Sequence, residues 1–219
     1  MHIAAMRQLA ILILSLLVTI ACHYGPTSSA AAAASGGDLA AMTRMLNAGL
    51  DPNARDASGY TPLIAAARSG NAPMIRLLVS RGADPNRSDA AVNSWTPLLH
   101  AVHKAQPGST AALLDAGANP NATDPNGSTP LMMAAGYGYA DIVKILLAHG
   151  ANPRLASSDG ITALDLARSG VPDIDRFTVF NCQDATVKAL LAADPKLSDH
   201  TANLPAIARV LMRTKRCGA

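Results

Sequence analysis

A chain of 219 residues that is 49% apolar but only 3% aromatic has to build its core from something other than aromatic packing. Forty-four residues are alanine, and with Leu, Ile, Val and Met they give the composition of closely packed helices, which argues against an aromatic-rich β-sandwich. Charged residues make up 15% and the formal net charge is +3, so the dense cationic stripe that neutralises phosphates is missing and nucleic acid is not the expected partner.

The N-terminus has the order of an export signal: Arg7, an apolar run from Leu9 to Ala21, then Cys22 and a polar, small-residue stretch from His23 to Ser29. About thirteen apolar residues are too few for a helix across a bilayer, which takes about twenty. Residues 1–21 are therefore read as a signal peptide. Val18-Thr19-Ile20-Ala21-Cys22 resembles a bacterial lipobox, although Thr19 stands where Leu is usual, and points to lipidation of Cys22. Ordinary cleavage near Ala21 or Ala30, releasing a soluble protein, is the alternative. Either route predicts an exported, periplasmic protein, membrane-attached if Cys22 carries lipid, with residues 22–37 as a tether.

From residue 38 onward the chain repeats itself. Thr61-Pro62-Leu63, Thr96-Pro97-Leu98, Thr129-Pro130-Leu131 and Thr162-Ala163-Leu164 begin four segments whose threonines stand 35, 33 and 33 apart. Gly49, Gly82, Gly117 and Gly150 mark a second register, at 33, 35 and 33, and Thr to the next Gly is 21 in each of the first three repeats. Each Thr can cap a helix that the following Pro begins well. Ile75, Leu77 and Leu78, then Leu113 and Leu114, then Ile142, Val143, Ile145 and Leu146 give a second helix its apolar stripe, and the Gly after it suits a left-handed turn. The register divides the domain, 38–219, into a half-repeat at 38–56 and repeats at 57–89, 90–123, 124–156 and 157–194, closed by a cap at 195–219. Repeat two carries two extra residues in the loop Arg87 to Ser94, and the fourth an insertion at 171–182. Helices are expected at Asp184 to Ala192 and Leu204 to Met212.

These motifs resemble those of the ankyrin-repeat family, from roughly Ser35 to the C-terminus. The resemblance implies an all-α solenoid of stacked helix-turn-helix units with projecting β-hairpin tips. It also implies a monomeric, non-enzymatic module that takes no cofactor or metal and holds a protein partner on a concave face of tips and first helices. The family's variable positions fall on Tyr60, Arg68 and Arg81, on Trp95, His103 and Lys104, and on Ser128, Tyr137 and His149. Tyr, Trp and Arg dominate binding hot spots, although each of these could instead be solvated or rest on a neighbouring loop. The family's usual His after Thr-Pro-Leu is replaced by Ile64, Leu99, Met132 and Asp165, so the tie it makes between loops is expected to be lost. Ala105 replaces a usual Gly.

With Cys22 lipidated, Cys182 and Cys217 remain, either as a disulfide fastening the insertion to the cap or as two free thiols. His100 and His103, three apart on one helix, could supply two metal ligands, but no third stands near in sequence. The enzyme reading is accordingly weak. Exported ankyrin proteins of this kind act as immunity factors that neutralise toxins or as scaffolds that stabilise an enzyme, and the sequence leaves both open.

Overall fold

The structure is a computed structural model and describes residues 26–90, 93–169 and 183–197. Among these residues ten helices form five antiparallel pairs: α1 (Pro26–Gly36) with α2 (Leu39–Asn47), α3 (Pro62–Arg68) with α4 (Ala72–Ser80), α5 (Pro97–His103) with α6 (Pro107–Asp115), α7 (Pro130–Tyr137) with α8 (Ala140–Ala148), and α9 (Ala163–Ser169) with α10 (Asp184–Ala193). The odd-numbered helices stack on one another in one row and the even-numbered in a second. None of the described helices is long and apolar enough to cross a membrane.

Local chemistry sets each start and stop. The hydroxyls of Thr61, Thr96 and Thr129 accept from the amides of Ile64, Leu99 and Met132 at 3.3, 3.3 and 3.2 Å, and a Pro opens each of those helices. In the last repeat the N–H and hydroxyl of Thr162 both donate to Asp165 Oδ2, at 2.9 and 2.6 Å, while the Asp165 amide donates back to the hydroxyl. Asp165 thus completes a reciprocal cap. The second helices end as the sequence implies, on Gly82, Gly117 and Gly150 with φ of 91°, 87° and 83°.

Between the rows lies one continuous aliphatic core. Ile75 and Leu78, Leu113 and Leu114, and Ile142, Val143 and Leu146 are buried from the second helices, and Leu63, Leu98, Leu131 and Leu164 from the first. Leu77 and Ile145, expected in the same stripe, are half-buried against it. Alanines at 66, 67, 101, 134, 135 and 167 are buried where first helices approach each other. Small side chains there allow the close spacing, and that is why a core without aromatics suffices.

Three expectations change. Part of the stretch read as a tether is the helix α1: Ala30 and Ala34, four apart on one face, are fully buried, and α1 stacks on α3. The unit read as a half-repeat is therefore a full helix pair. The tips are loops rather than β-hairpins among the described residues, and each shares one backbone bond, from the amides of Asp56, Asp89, Asp124 and Ser157 to the carbonyls of Tyr60, Trp95, Ser128 and Ile161. The sole β-type pairing described is a bridge between Ala156 and Thr162.

The third change concerns the tie between loops, which is present through a different residue. Asn53 donates to the carbonyl of Gly82 at 2.9 Å and accepts from the amide of Asp84 at 2.8 Å. Asn86 does the same with Gly117 and Asn119, and Asn121 with Gly150 and Asn152. Each clasp spans one repeat to the next, so the Asn of the Gly-x-x-Pro-Asn motif does the work assigned to the absent His.

Candidate functional site

Rings from three successive repeats meet on the first-helix face. Tyr60, at the base of the first tip, meets His100 of α5 edge-on at 5.4 Å between centroids. Trp95 stands 5.4 Å from His100 and 5.0 Å from His103. His103 lies 5.9 Å from Tyr137 of α7, whose hydroxyl is 3.4 Å from His103 Nδ1, and Tyr137 lies 5.4 Å from Tyr139. These spacings are those of edge-to-face and tilted aromatic pairs, so the six rings form one contiguous row. Trp95, Tyr60, His103, Tyr137 and Tyr139 are half-buried and present part of each ring to solvent.

His100 is the buried centre of this row. Arg68 Nη1 donates to His100 Nδ1 at 3.2 Å, and because a guanidinium can only donate, Nδ1 must be the unprotonated nitrogen. The proton is then on Nε2, which donates to Asp89 Oδ2 at 2.6 Å. Burial pushes the His100 pKa down to about 4 against the opposing pull of the Asp89 carboxylate, so the ring is neutral at physiological pH. Both ring nitrogens are used, and among the described residues no group of three or more His, Cys, Asp or Glu could hold a metal ion. His100 thus fastens the long loop of repeat two, through buried Asp89, to the first helix and to Arg68 of the preceding repeat. The described flank of that loop also rests on the preceding tip, where the Ala90 amide donates to the Gly59 carbonyl.

Arg68 does two things at once. Its Cζ sits 5.0 Å from the centroid of Tyr60, within cation–π range, while its nitrogen holds His100. With Lys104, the C-cap of α5, it borders an open concavity of about 430 Å³ that Ala31, Ala32, Ala65 and the carboxylate residue Asp56 also line. The hollow opens widely to solvent, which suits a docked surface better than an enclosed small molecule.

Six of the nine residues proposed from the sequence, Tyr60, Arg68, Trp95, His103, Lys104 and Tyr137, therefore come together. The other three make different contacts. Arg81 caps α4 and donates to Asn47 Oδ1 at 2.8 Å, and His149 caps α8 and meets Asp115 Oδ1 at 3.1 Å, both as ties along the second-helix row. Ser128 closes its own tip through the amide, which donates to Asp124 Oδ1 at 2.8 Å. Sequence reasoning missed Asp89, His100 as an anchor, and Tyr139. The signal for Tyr139 was its position two after Tyr137, with Gly138 between them in the left-handed region at φ 74°, which folds the second ring back beside the first. Cys22, Cys182 and Cys217, with the insertion at 171–182 and the helix expected at Leu204 to Met212, lie outside the described residues.

The family model for ankyrin repeats in three copies matches residues 1–89 and 29–124, and the model for ankyrin repeats in many copies matches residues 113–167. The chain belongs to the ankyrin-repeat family. No curated protein matches it. Ankyrin repeats are modules of protein–protein interaction and typically carry no catalytic centre. In this ankyrin stack Tyr60, Trp95, His103 and Tyr137, at four of the positions singled out from the sequence, form the row with His100 of α5 and with Tyr139, the N-cap of α8.

Proposed function

We propose that this chain is a non-enzymatic binding module of the bacterial cell envelope that holds a protein partner on its first-helix face. The observation that carries the reading is the unbroken row from Tyr60 through His100, Trp95, His103 and Tyr137 to Tyr139, which gathers most of the chain's few aromatics on one surface. Large rings held by mutual contact lose little freedom on binding, and Trp and Tyr anchors supply most of the energy of a typical interface. Support for the envelope comes from the order of Arg7, the apolar run to Ala21 and Cys22, with Cys22 as the lipidated residue; in an oxidising compartment Cys182 and Cys217 would be able to pair. A protein that binds there without chemistry acts by occupying its partner, as an immunity factor does when it neutralises a toxin.

The test is capture from envelope extracts with the full chain and with Trp95→Ala combined with Tyr137→Ala, followed by mass spectrometry and titration of the purified candidate. A partner held by the wild type and released by the double variant supports the reading. Equal capture by both removes it. Labelled palmitate incorporated into the wild type but not into Cys22→Ser establishes the anchor, and equal labelling removes it.

A further inference from the structure

Arg68 and Lys104, half-buried like Arg168 of α9, differ from the exposed cations of the stack. Arg44, Arg76, Arg87 and Lys188 are exposed, where water solvates the charge. Arg68 and Lys104 are half-buried, border the same concavity, which Asp56 also lines, and form no ion pair within 4 Å among the described residues. The acidic groups near them are engaged within the fold: Asp89 with His100, and Asp56 Oδ1 with the amides of Ser58 and Tyr60. Asp165, the one acidic residue on the described first helices, is buried and committed to Thr162. A half-buried cation without a direct ion pair is less well stabilised than a paired one, and a ligand carboxylate that pairs with it recovers part of that difference.

Resting on the reading above that this face binds a protein, we infer that the partner presents an acidic segment: Asp or Glu side chains that pair with Arg68 and Lys104, next to an apolar side chain that covers Ala31, Ala32 and Ala65. Arg68 is preorganised for a carboxylate, since the Tyr60 ring and His100 Nδ1 fix one side of the guanidinium and a planar fork fits two oxygens. Two cations are too few for a polyphosphate backbone, and the lining alanines offer apolar contact beside them, so a carboxylate-bearing peptide fits better than nucleic acid.

The experiment pans a library of random displayed dodecapeptides on the full chain, with counter-selection on Arg68→Gln combined with Lys104→Gln. Emission from Trp95, the single tryptophan, then reports binding of each selected peptide beside its Asn/Gln counterpart. The expected result is enrichment of Asp and Glu, about tenfold weaker binding when the acids become amides, and the same loss in Lys104→Gln alone or in the double variant. Arg76→Gln on α4 should leave binding unchanged, and Arg68→Lys should recover part of it if the Gln variant is poorly folded. Peptides without acidic enrichment, no peptide that separates the double variant from the wild type, or a single-stranded RNA dodecamer that competes as well as the peptides would each overturn the inference. If acidity proves irrelevant while partner capture still depends on Trp95 and Tyr137, this inference fails and the proposed function stands. If capture is also independent of those rings, both fail.

Discussion

His100 and Asp89 meet at 2.6 Å with both side chains almost wholly removed from solvent, at 3% and 1% exposure. This contact joins a first helix to the longest tip of the stack, and Arg68 extends it to the preceding repeat. A buried neutral imidazole between a cation and a carboxylate is a polar network with its bonds satisfied, and such networks are costly to break in part.

Acid should therefore weaken the fold earlier than carboxylate protonation alone would. The His100 pKa is about 4 in the folded chain against an ordinary 6.5, so between those values the unfolded chain binds a proton that the folded chain does not. Stability is unaffected above pH 6.5, falls as pH drops below it, and has lost at most about 3 kcal/mol from this group by pH 4. His149 works the other way: its two nitrogens face the Ile145 carbonyl and Asp115, both acceptors, so its pKa is raised and protonation favours the fold. Urea unfolding of wild type and His100→Gln across pH 4 to 7 checks the contribution of the His100–Asp89 pair. The wild-type curve should be the steeper. Parallel curves would contradict the assignment.

Asp89→Asn should lower stability by about 1–3 kcal/mol, since it weakens a buried charge-assisted bond. It should also depress the His100 pKa further, because the carboxylate is what raises it. Histidine resonances followed by NMR titration check the second effect, and a double-mutant cycle with His100→Gln should give a coupling of at least about 1 kcal/mol.

Ala105 adopts φ of 54°, in the left-handed region, at the position where other repeats place Gly70 and Gly138 with φ of 82° and 74°. A side chain in that region costs on the order of 1–3 kcal/mol. Ala105→Gly should therefore stabilise the protein by about 1 kcal/mol after the entropic cost of glycine, and thermal melting should show the rise.

Asn86→Ala removes both bonds that clasp Gly117 and Asn119 and should cost about 1–2 kcal/mol, with faster amide exchange at Asn119. The effect should stay near the junction of repeats one and two, since each unit of a stack touches only its neighbours.

How far the sequence could be read follows from which features are periodic. Thr-Pro-Leu and Gly-x-x-Pro-Asn recur at fixed spacing, so helix starts, helix ends and the aliphatic core were legible from the repeat alone. The helix Pro26–Gly36 was not, because its alanine run lacks the Thr-Pro-Leu start and shares its composition with a flexible tether; burial of Ala30 and Ala34 decides the matter. Tyr60 and Trp95 could be placed on one surface because they hold equivalent positions before Thr-Pro-Leu, and Tyr137 because it ends a first helix of the same row. The role of Asp89 could not: it stands in register with Asp56 and Asp124, but those carboxylates accept from amides of their own tips, whereas Asp89, ahead of the two extra residues of repeat two, pairs with His100. The nearby claim that the absent His leaves the loops untied failed for a related reason: the Asn clasp reaches across to the next repeat, which a reading along one repeat does not reveal.

The most direct test of the row as a binding surface is the dissociation constant of the captured partner for wild type, Trp95→Ala and Tyr137→Ala, with circular dichroism confirming that each variant keeps its helices. The row predicts that Trp95→Ala weakens binding at least about thirtyfold, as the loss of a 2 kcal/mol hot spot does, and that Tyr137→Ala weakens it by a smaller factor. Unchanged affinity in a folded Trp95→Ala protein would contradict the account.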